Sequence, residues 1–234
     1  MDSLGTIMYL VRFQINWGRS LSFLRRGGLL LQEETICGLI LAAGLSTRMG
    51  EFKPLMPFRG KALIENTIDS VLSSGAGQVV VVTGYRADEL EPLLAEQYGP
   101  RVILTRNPDF ATTDMLHSIR TGCAGMPRCD AFFLLPGDMP VVQERTFRKL
   151  LEQRDGSLSV IFPTLDGYRK HPPLVDYRLI PEILSFDGDG GLRQFWKERE
   201  ALIRTVPVDD AGVWVDLDTR EDYKKCKEQY ERRR

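Results

Sequence analysis

The sequence has few cysteines, almost no net charge and no apolar run long enough to cross a membrane. Its four cysteines, at positions 37, 123, 129 and 226, form no C-x-x-C pair, which argues against a zinc site or a disulfide framework. The formal net charge of -1 creates no overall field to attract nucleic acid or a membrane surface. Free thiols are typical of a reducing compartment. We therefore expect a cytoplasmic protein with neither a nucleic-acid partner nor a membrane partner.

The first 35 residues differ from the rest because arginines interrupt their apolar residues. A secretory signal places its basic residues before one continuous apolar core, whereas here the basic residues are Arg12, Arg19, Arg25 and Arg26. We therefore expect residues 1–35 to be an N-terminal extension, or the result of a start codon assigned too early. Residues 36–234 have a length that favours one α/β domain over two.

Apolar, β-rich runs alternate with segments of helical spacing along residues 36–234. This alternation predicts a mostly parallel sheet with helices on both faces. In such sheets ligands bind beyond the carboxyl ends of the strands. The expected strands are 36–42, 78–83, 101–105, 131–135, 158–162, 201–208 and 212–216. The expected helices are 62–73, 87–98, 114–123, 144–153 and 219–230.

A glycine-rich loop follows the first expected strand, and residues 39–53 read LILAAGLSTRMGEFK. Glycines permit a tight turn whose N–H groups can point at an anion, and Arg48 and Lys53 add two cations. The loop lacks the Gly-Lys-Ser/Thr of a P-loop and the G-x-G-x-x-G of a dinucleotide fingerprint. The pattern predicts a polyphosphate cradle in which both cations are exposed. An ordinary turn with surface charges is the structural alternative.

An aspartate follows the strand expected at 131–135. Residues 132–140 read FFLLPGDMP, so Pro136 and Gly137 end an apolar strand and Asp138 emerges at its carboxyl end. A carboxylate at this point is well placed to hold Mg²⁺, which takes few protein oxygens together with water and phosphate. Capping of the next helix is the structural alternative.

A second acidic segment reads WVDLDTRED over residues 214–222. In a strand, Asp216 and Asp218 point to the same face. Neighbouring carboxylates repel each other unless a cation or water separates them, so both are candidate metal ligands. Asp218 could also cap the helix expected to begin at Thr219.

These segments resemble the nucleotidyltransferases that handle molybdenum cofactor, which have a glycosyltransferase-A-like fold. Residues 41–53 fill every fixed position of the signature L-A-A-G-x-S-x-R-M-G-x-x-K. The G-D-M-P at 137–140 resembles the metal-binding motif of the family, and 216–222 resembles its D-x-D-T-P-E-D ending, with Arg220 in place of proline. Similarity extends over roughly residues 36–230, through V-T-G-Y at 82–85, N-P-x-[FWY] at 107–110, G-H-P-x-L at 170–174 and G-D-x-G-x-R at 188–193.

The resemblance implies a Mg²⁺-dependent enzyme that joins CTP to molybdopterin carrying molybdenum and releases pyrophosphate. The catalytic residues that it implies are Arg48, Lys53 and Asp138, and the metal ligands are Asp138, Asp216 and Asp218. The nucleotide-binding residues that it implies are Leu41, Ala42, Ala43, Gly44, Ser46, Arg48, Lys53 and Gly84, and the acceptor-binding residues are His171, Pro172 and Asp189. Residues 41–44 favour CTP over GTP, because the guanylyl branch more often reads L-A-G-G there.

Two departures from the family pattern lie near the expected acceptor site. Lys170 stands where the motif has glycine, and the step at Thr113-Asp114-Met115 carries one extra residue. Three alternatives therefore stay open: guanylyl transfer to the same cofactor, nucleotidyl transfer to a sugar phosphate or phosphocholine, and a catalytically silent nucleotide-binding module. A molybdoenzyme that receives the finished cofactor would be a further partner.

Overall fold

A computed structural model describes residues 34–45, 49–215 and 217–231. Its strands are β1 (Ile36–Ala42), β2 (Pro57–Phe58), β3 (Lys61–Ala62), β4 (Gln78–Thr83), β5 (Val102–Arg106), β6 (Ala131–Pro136), β7 (Val160–Leu165), β8 (Tyr168–Arg169), β9 (Leu174–Asp176) and β10 (Ile203–Pro207). Its α-helices are α1 (Leu63–Ser73), α2 (Ala87–Tyr98), α3 (Met115–Ala124), α4 (Glu144–Glu152), α5 (Ile180–Ser185), α6 (Gly191–Glu198) and α7 (Arg220–Glu231). No helix among these residues is both long enough and apolar enough to span a membrane.

The central sheet has the strand order β10-β7-β9-β6-β1-β4-β5, with β8 paired to β7. The pairs β6/β1, β1/β4, β4/β5 and β10/β7 are parallel. Strand β9 runs antiparallel to both of its neighbours, β6 and β7. The expectation of a mostly parallel sheet is therefore confirmed.

Apolar residues cover both faces of the sheet because successive side chains of a strand point to opposite faces. Ile40 belongs to the core that packs against α1, α2 and α4. Leu39, its neighbour in β1, belongs to the core that packs against α3, α5 and α6. Helices on both faces, as expected, explain why the central strands read as continuous apolar runs.

The strands expected at 36–42 and 78–83 and the helix expected at 87–98 have the same bounds in the structure. The other confirmed elements shift by a few residues. Short elements were not predicted, namely the β2–β3 hairpin, β8, β9, α5 and α6. A three-residue strand such as β9 is too short to show a period in the sequence.

The strand expected at 212–216 is wrong, since a 3-10 helix occupies Ala211–Trp214. The side chain of Asp210 accepts a hydrogen bond from Gly212 N at 2.8 Å and so closes the turn. Gly212 also lies so close to the segment between β6 and α4 that a Cβ there would be 2.3 Å from the carbonyl oxygen of Val141. The described residues 212–215 therefore give no strand to support the same-face argument for Asp216 and Asp218.

Some predictions fall on residues outside the described part of the chain. These concern the extension at residues 1–33 and the side chains of Ser46, Arg48 and Asp216, and they stay predictions. Thr35 already belongs to the domain, because its N–H donates to Asp130 Oδ2 at 2.7 Å and its carbonyl accepts from Asp130 N at 2.8 Å.

Candidate active site

The candidate site lies at the carboxyl ends of β1 and β6, which are neighbours in the sheet. Leu41 of β1 is in register with Pro136 of β6. The glycine loop therefore leaves the sheet beside the turn that carries Asp138. This is the edge at which open α/β sheets bind ligands.

Gly137 fixes the start of the Asp138 turn against β1. Its N–H donates to Leu41 O at 2.9 Å, and its carbonyl accepts from the buried Thr67 hydroxyl at 3.0 Å. A Cβ at Gly137 would lie 3.1 Å from the carbonyl oxygen of Leu41, so a larger residue would require a small shift of the β1 backbone. The position of Asp138 thus depends on the small residue before it.

Lys53 joins the two acidic segments. Its Nζ lies 3.1 Å from Asp138 Oδ2 and 3.0 Å from Asp218 Oδ1. The Lys53 side chain is only 12% exposed, so the expectation that this cation is exposed is wrong. Burial opposes the charge on Lys53, but Asp138 and Asp218 outweigh that effect and raise the pKa of the ammonium. The cation and both carboxylates form one charged cluster.

Asp218 contributes to this cluster because another residue caps α7. Thr219 Oγ1 accepts from Asp222 N at 3.1 Å, and Thr219 N donates to Asp222 Oδ2 at 3.2 Å. This reciprocal pair is a capping box, and it answers the capping alternative for Asp218. Leu217, the preceding residue, is fully buried and anchors the segment.

Arg220 connects the same segment to the glycine loop. Its Nε donates to Met49 O at 3.0 Å, and its guanidinium pairs with Glu51 at 2.9 Å. The arginine that replaces the family's proline thus connects the start of α7 to the glycine loop. The sequence gives no sign of this contact.

The end of β4 lies beside the end of β1. Tyr85 N donates to Ala43 O at 3.2 Å, which places Gly84 next to Ala43. Ala42 and Ala43 are buried, and Gly44 is exposed where the loop begins. The described nucleotide-binding candidates therefore line one edge of the sheet.

Among the acceptor candidates, His171 and Pro172 lie beside β6, and Asp189 lies in an exposed turn. The peptide bond between His171 and Pro172 is cis, and His171 Nδ1 lies 3.4 Å from Leu134 O in β6. Burial lowers the pKa of His171, although the Leu134 carbonyl and the charge of Asp138 oppose this shift. Asp189 is exposed in the turn before α6, whose Gly191 lies beside Asp114 at the start of α3. The structure gives no hydrogen bond between Asp189 and His171, both of which it describes.

Two buried polar residues hold loops of the site and were not predicted. Asp210 is 1% exposed and accepts from Gln143 N at 2.9 Å, from Gly212 N at 2.8 Å and from the Thr146 hydroxyl at 2.6 Å. It thereby joins the segment after Asp138 to the segment before Asp216. Gln143 and Thr146 are 67 and 64 positions away in the chain, so these two contacts leave no local sequence signal.

Asn107 does the same for the loop after β5. It is fully buried, its amide donates to the Thr113 and Ser118 hydroxyls at 3.2 and 3.1 Å, and its Oδ1 accepts from Asp109 N at 3.0 Å. The asparagine of the N-P-x-F motif thus stabilises the conformation of the loop after β5 in this chain.

The carboxylates suit a hard divalent cation. Asp138 and Asp218 both contact Lys53 Nζ, so their carboxylates lie near each other. Mg²⁺ needs only one or two carboxylates when phosphate and water complete its coordination shell. The described residues hold no cluster of three or more His, Cys, Asp or Glu side chains that could bind a metal. Any third ligand, such as Asp216, would come from outside them.

Comparison with known proteins agrees with this arrangement. Residues 38–203 match the model of the MobA-like NTP transferase domain. The chain is 31% identical to the molybdenum cofactor cytidylyltransferase of Escherichia coli K12, over 82% of this chain and 95% of that protein. It is 30% identical to the nicotine blue oxidoreductase of Paenarthrobacter nicotinovorans, over 80% of this chain and 93% of that protein.

A solved nucleotidyl transferase from Methanothermobacter thermautotroptrophicus superimposes with a TM-score of 0.73 at 27% identity, over 86% of this chain and 99% of that one. The fold is glycosyltransferase-A-like, as the resemblance implied. With a matching family model over most of the domain, the chain belongs to the family of MobA-like NTP transferase domains.

Proposed function

We propose that the protein transfers CMP from CTP to the phosphate of molybdopterin carrying molybdenum and releases pyrophosphate. The observation that carries this proposal is the contact of Lys53 Nζ with both Asp138 and Asp218. A buried cation between two carboxylates at the carboxyl edge of the sheet suits a triphosphate and its divalent metal. The choice of acceptor and of CTP draws on the E. coli relative and on residues 41–44.

In the proposed reaction an oxygen of the acceptor phosphate attacks the α-phosphorus of CTP. A new phosphorus–oxygen bond forms, and the bond from the α-phosphorus to the bridging oxygen of the β-phosphate breaks. Pyrophosphate leaves with that oxygen and its electron pair. The acceptor phosphate is already ionised, so the reaction needs no dedicated general base. Catalysis is then mainly positioning and charge stabilisation.

Each charged residue has a role in this scheme. Lys53 neutralises the phosphates, and Arg48 is proposed to do the same from the glycine loop. Asp138 and Asp218, with Asp216, would hold Mg²⁺. The metal would supply positive charge next to the phosphates.

A test of this proposal is pyrophosphate release, measured with CTP, GTP, ATP and UTP. Each nucleotide is tested without an acceptor and with molybdenum-loaded molybdopterin, a sugar phosphate or phosphocholine. We expect CTP with that acceptor to give the fastest release. Fastest release with GTP would identify the guanylyl alternative. Release only with a sugar phosphate or phosphocholine would show that this compound, and not molybdopterin, is the acceptor. Absence of release in every arm would leave the silent nucleotide-binding module.

The Paenarthrobacter relative bears an oxidoreductase name at nearly the same identity as the E. coli relative. The contact of Lys53 with two carboxylates favours phosphate and metal over hydride transfer. The same preparation should be assayed for NADH and NADPH oxidation with a quinoid dye. Turnover there without pyrophosphate release would contradict the transferase proposal.

The proposal carries expectations about the cell. The reaction would take place in the cytoplasm, and a molybdoenzyme would receive the product as a maturation partner. Co-purification of the protein with such an enzyme would test the second expectation.

A further inference from the structure

Two aromatic side chains lie exposed close to the segment that carries His171. Tyr168 is 66% exposed and Trp214 is 51% exposed. Their ring centroids are 6.4 Å apart, with an angle of 72° between the ring planes. Neither ring belongs to the hydrophobic clusters of the described residues. Core packing therefore does not account for them.

Lys170 is held over one of these rings. Its Nζ lies 3.0 Å from the centroid of the Trp214 ring, which is a cation–π contact. The structure shows no salt bridge from Lys170 to any carboxylate that it describes. No described carboxylate therefore neutralises this ammonium, and the ring restricts the motion of a side chain that is otherwise flexible.

The backbone of Lys170 is held by β7, and the residue after it contacts β6. The Lys170 N–H donates to Pro163 O of β7 at 2.8 Å, and His171 contacts the carbonyl of Leu134 in β6. Strand β6 ends just before Asp138. The segment of Lys170 and His171 therefore lies beside the strand that leads to Asp138.

Trp214 is fixed from the other side. It is the last residue of the 3-10 helix that Asp210 closes, and Gly212 of that helix packs against Val141, three residues after Asp138. Trp214 itself precedes the acidic segment with Asp218. Two separate parts of the site thus meet in the contact between Lys170 and Trp214.

We propose that Lys170 binds the phosphate of the acceptor and that Trp214 is the positioning residue for its ammonium. Tyr168 supports the Trp214 ring by its edge contact. The ligand class is a phosphate monoester on a flat heteroaromatic ring, and this inference rests on the proposed function for its acceptor. Lys170, which replaces the family's glycine, would add a charge contact to the acceptor and none to the nucleotide.

The test compares direct binding of two probes, hydroxymethylpterin monophosphate and hydroxymethylpterin, by equilibrium dialysis against the full chain. The variants are Lys170→Met, Trp214→Leu and Trp214→Phe. Lys149→Met, which removes an exposed lysine of α4, is the matched control. Calorimetric binding of CTP, without any pterin, shows whether a variant has damaged the nucleotide side.

We expect Lys170→Met to weaken binding of the phosphorylated pterin by about tenfold, as for loss of a charge-assisted hydrogen bond. Binding of the other pterin and of CTP should not change. Trp214→Leu should weaken the phosphorylated pterin by about threefold, and Trp214→Phe, which keeps a ring face, should restore it. Lys149→Met should behave as the unmodified protein.

The inference is overturned if Lys170→Met binds the phosphorylated pterin as tightly as the unmodified protein does. It is also overturned if the variant weakens both pterins equally, or if the unmodified protein binds neither. Pyrophosphate release by the unmodified protein is scored separately. Selective binding without release would support the Lys170 site and refute the proposed function. Release without selective binding would support the proposed function and refute the Lys170 site.

Discussion

Lys53 Nζ lies 3.1 Å from Asp138 Oδ2, and this contact joins the glycine loop to the turn after β6. The two residues are 85 positions apart in the chain, and the same ammonium also reaches Asp218. Charges of opposite sign are thus brought together at the sheet edge. This preorganisation is what a reaction driven by positioning and charge requires.

The first prediction concerns Asp138. Asp138→Asn keeps the shape of the side chain and removes its charge, so the site should lose metal affinity and transition-state stabilisation. Pyrophosphate release should fall by about two orders of magnitude or more. The measurement is the initial rate across a Mg²⁺ titration. Asp69→Asn, which alters an exposed ion pair with Lys61, is the control, and a normal rate for Asp138→Asn at limiting Mg²⁺ would exclude the role.

The second prediction concerns Lys53. Lys53→Ala leaves Asp138 and Asp218 facing each other without their shared cation, so CTP affinity should drop. Unfolding free energy should also fall by about 1–2 kcal/mol, since the pair with each carboxylate is only partly buried. Calorimetry and urea unfolding measure the two effects. Lys61→Ala, an exposed lysine with one ion pair, should change neither, and unchanged CTP binding in Lys53→Ala would favour a purely structural role.

The third prediction concerns Arg220. Arg220→Pro restores the residue of the family motif at the first position of α7, where proline is compatible with a helix. The exposed ion pair with Glu51 contributes little to stability, so unfolding free energy should change by less than about 1 kcal/mol. The tie to Met49 is lost, so KM for CTP should rise by a few-fold, which steady-state kinetics would detect. A wild-type KM would show that the glycine loop does not depend on Arg220.

The fourth prediction concerns His171 and the acceptor. His171→Ala should reduce use of the molybdopterin acceptor by about 1–3 kcal/mol, as for a lost partner in a polar pocket, and should leave CTP binding nearly unchanged. The measurement is CTP titration without acceptor, followed by acceptor titration at saturating CTP. Equal losses on both sides would mean that His171 supports the fold in general.

The fifth prediction concerns pH. Burial lowers the pKa of His171 below its usual 6.5, so the unfolded chain takes up this proton more readily than the native protein does. Stability from this site therefore rises with pH through the range below 6.5 and is lost as the pH falls. Urea unfolding of the unmodified protein and of His171→Gln, at several values below and above this range, measures the effect. A difference between the two proteins that does not vary with pH would contradict it.

Much of the central sheet could be predicted because its strands are buried on both faces. Strands such as β1 and β4 read as continuous apolar runs that end in glycine or polar residues. The position of Asp138 followed from the same logic, since proline and glycine close β6 just before it. In these segments the apolar residues of the sequence are the ones that the folded domain buries.

The remaining features depend on contacts between distant parts of the chain. The fourfold-bonded carboxylate of Asp210 turned an expected strand into a 3-10 helix. The burial of Lys53 and the tie from Arg220 to Met49 arise from loops that meet only in the folded domain. Strand β9 exists because β6 and β7 offer it two edges, not because Leu174–Asp176 favours a strand by itself.

The most direct test of the central claim is transfer of label from CTP to the acceptor. CTP labelled in its α-phosphate is incubated with Mg²⁺, molybdenum-loaded molybdopterin and the protein, and the products are separated by chromatography. The account predicts that label moves to a pterin dinucleotide in proportion to the pyrophosphate released, and that Asp138→Asn reduces both by about two orders of magnitude or more. Recovery of all label as CTP or CMP, with the acceptor unmodified, would contradict it.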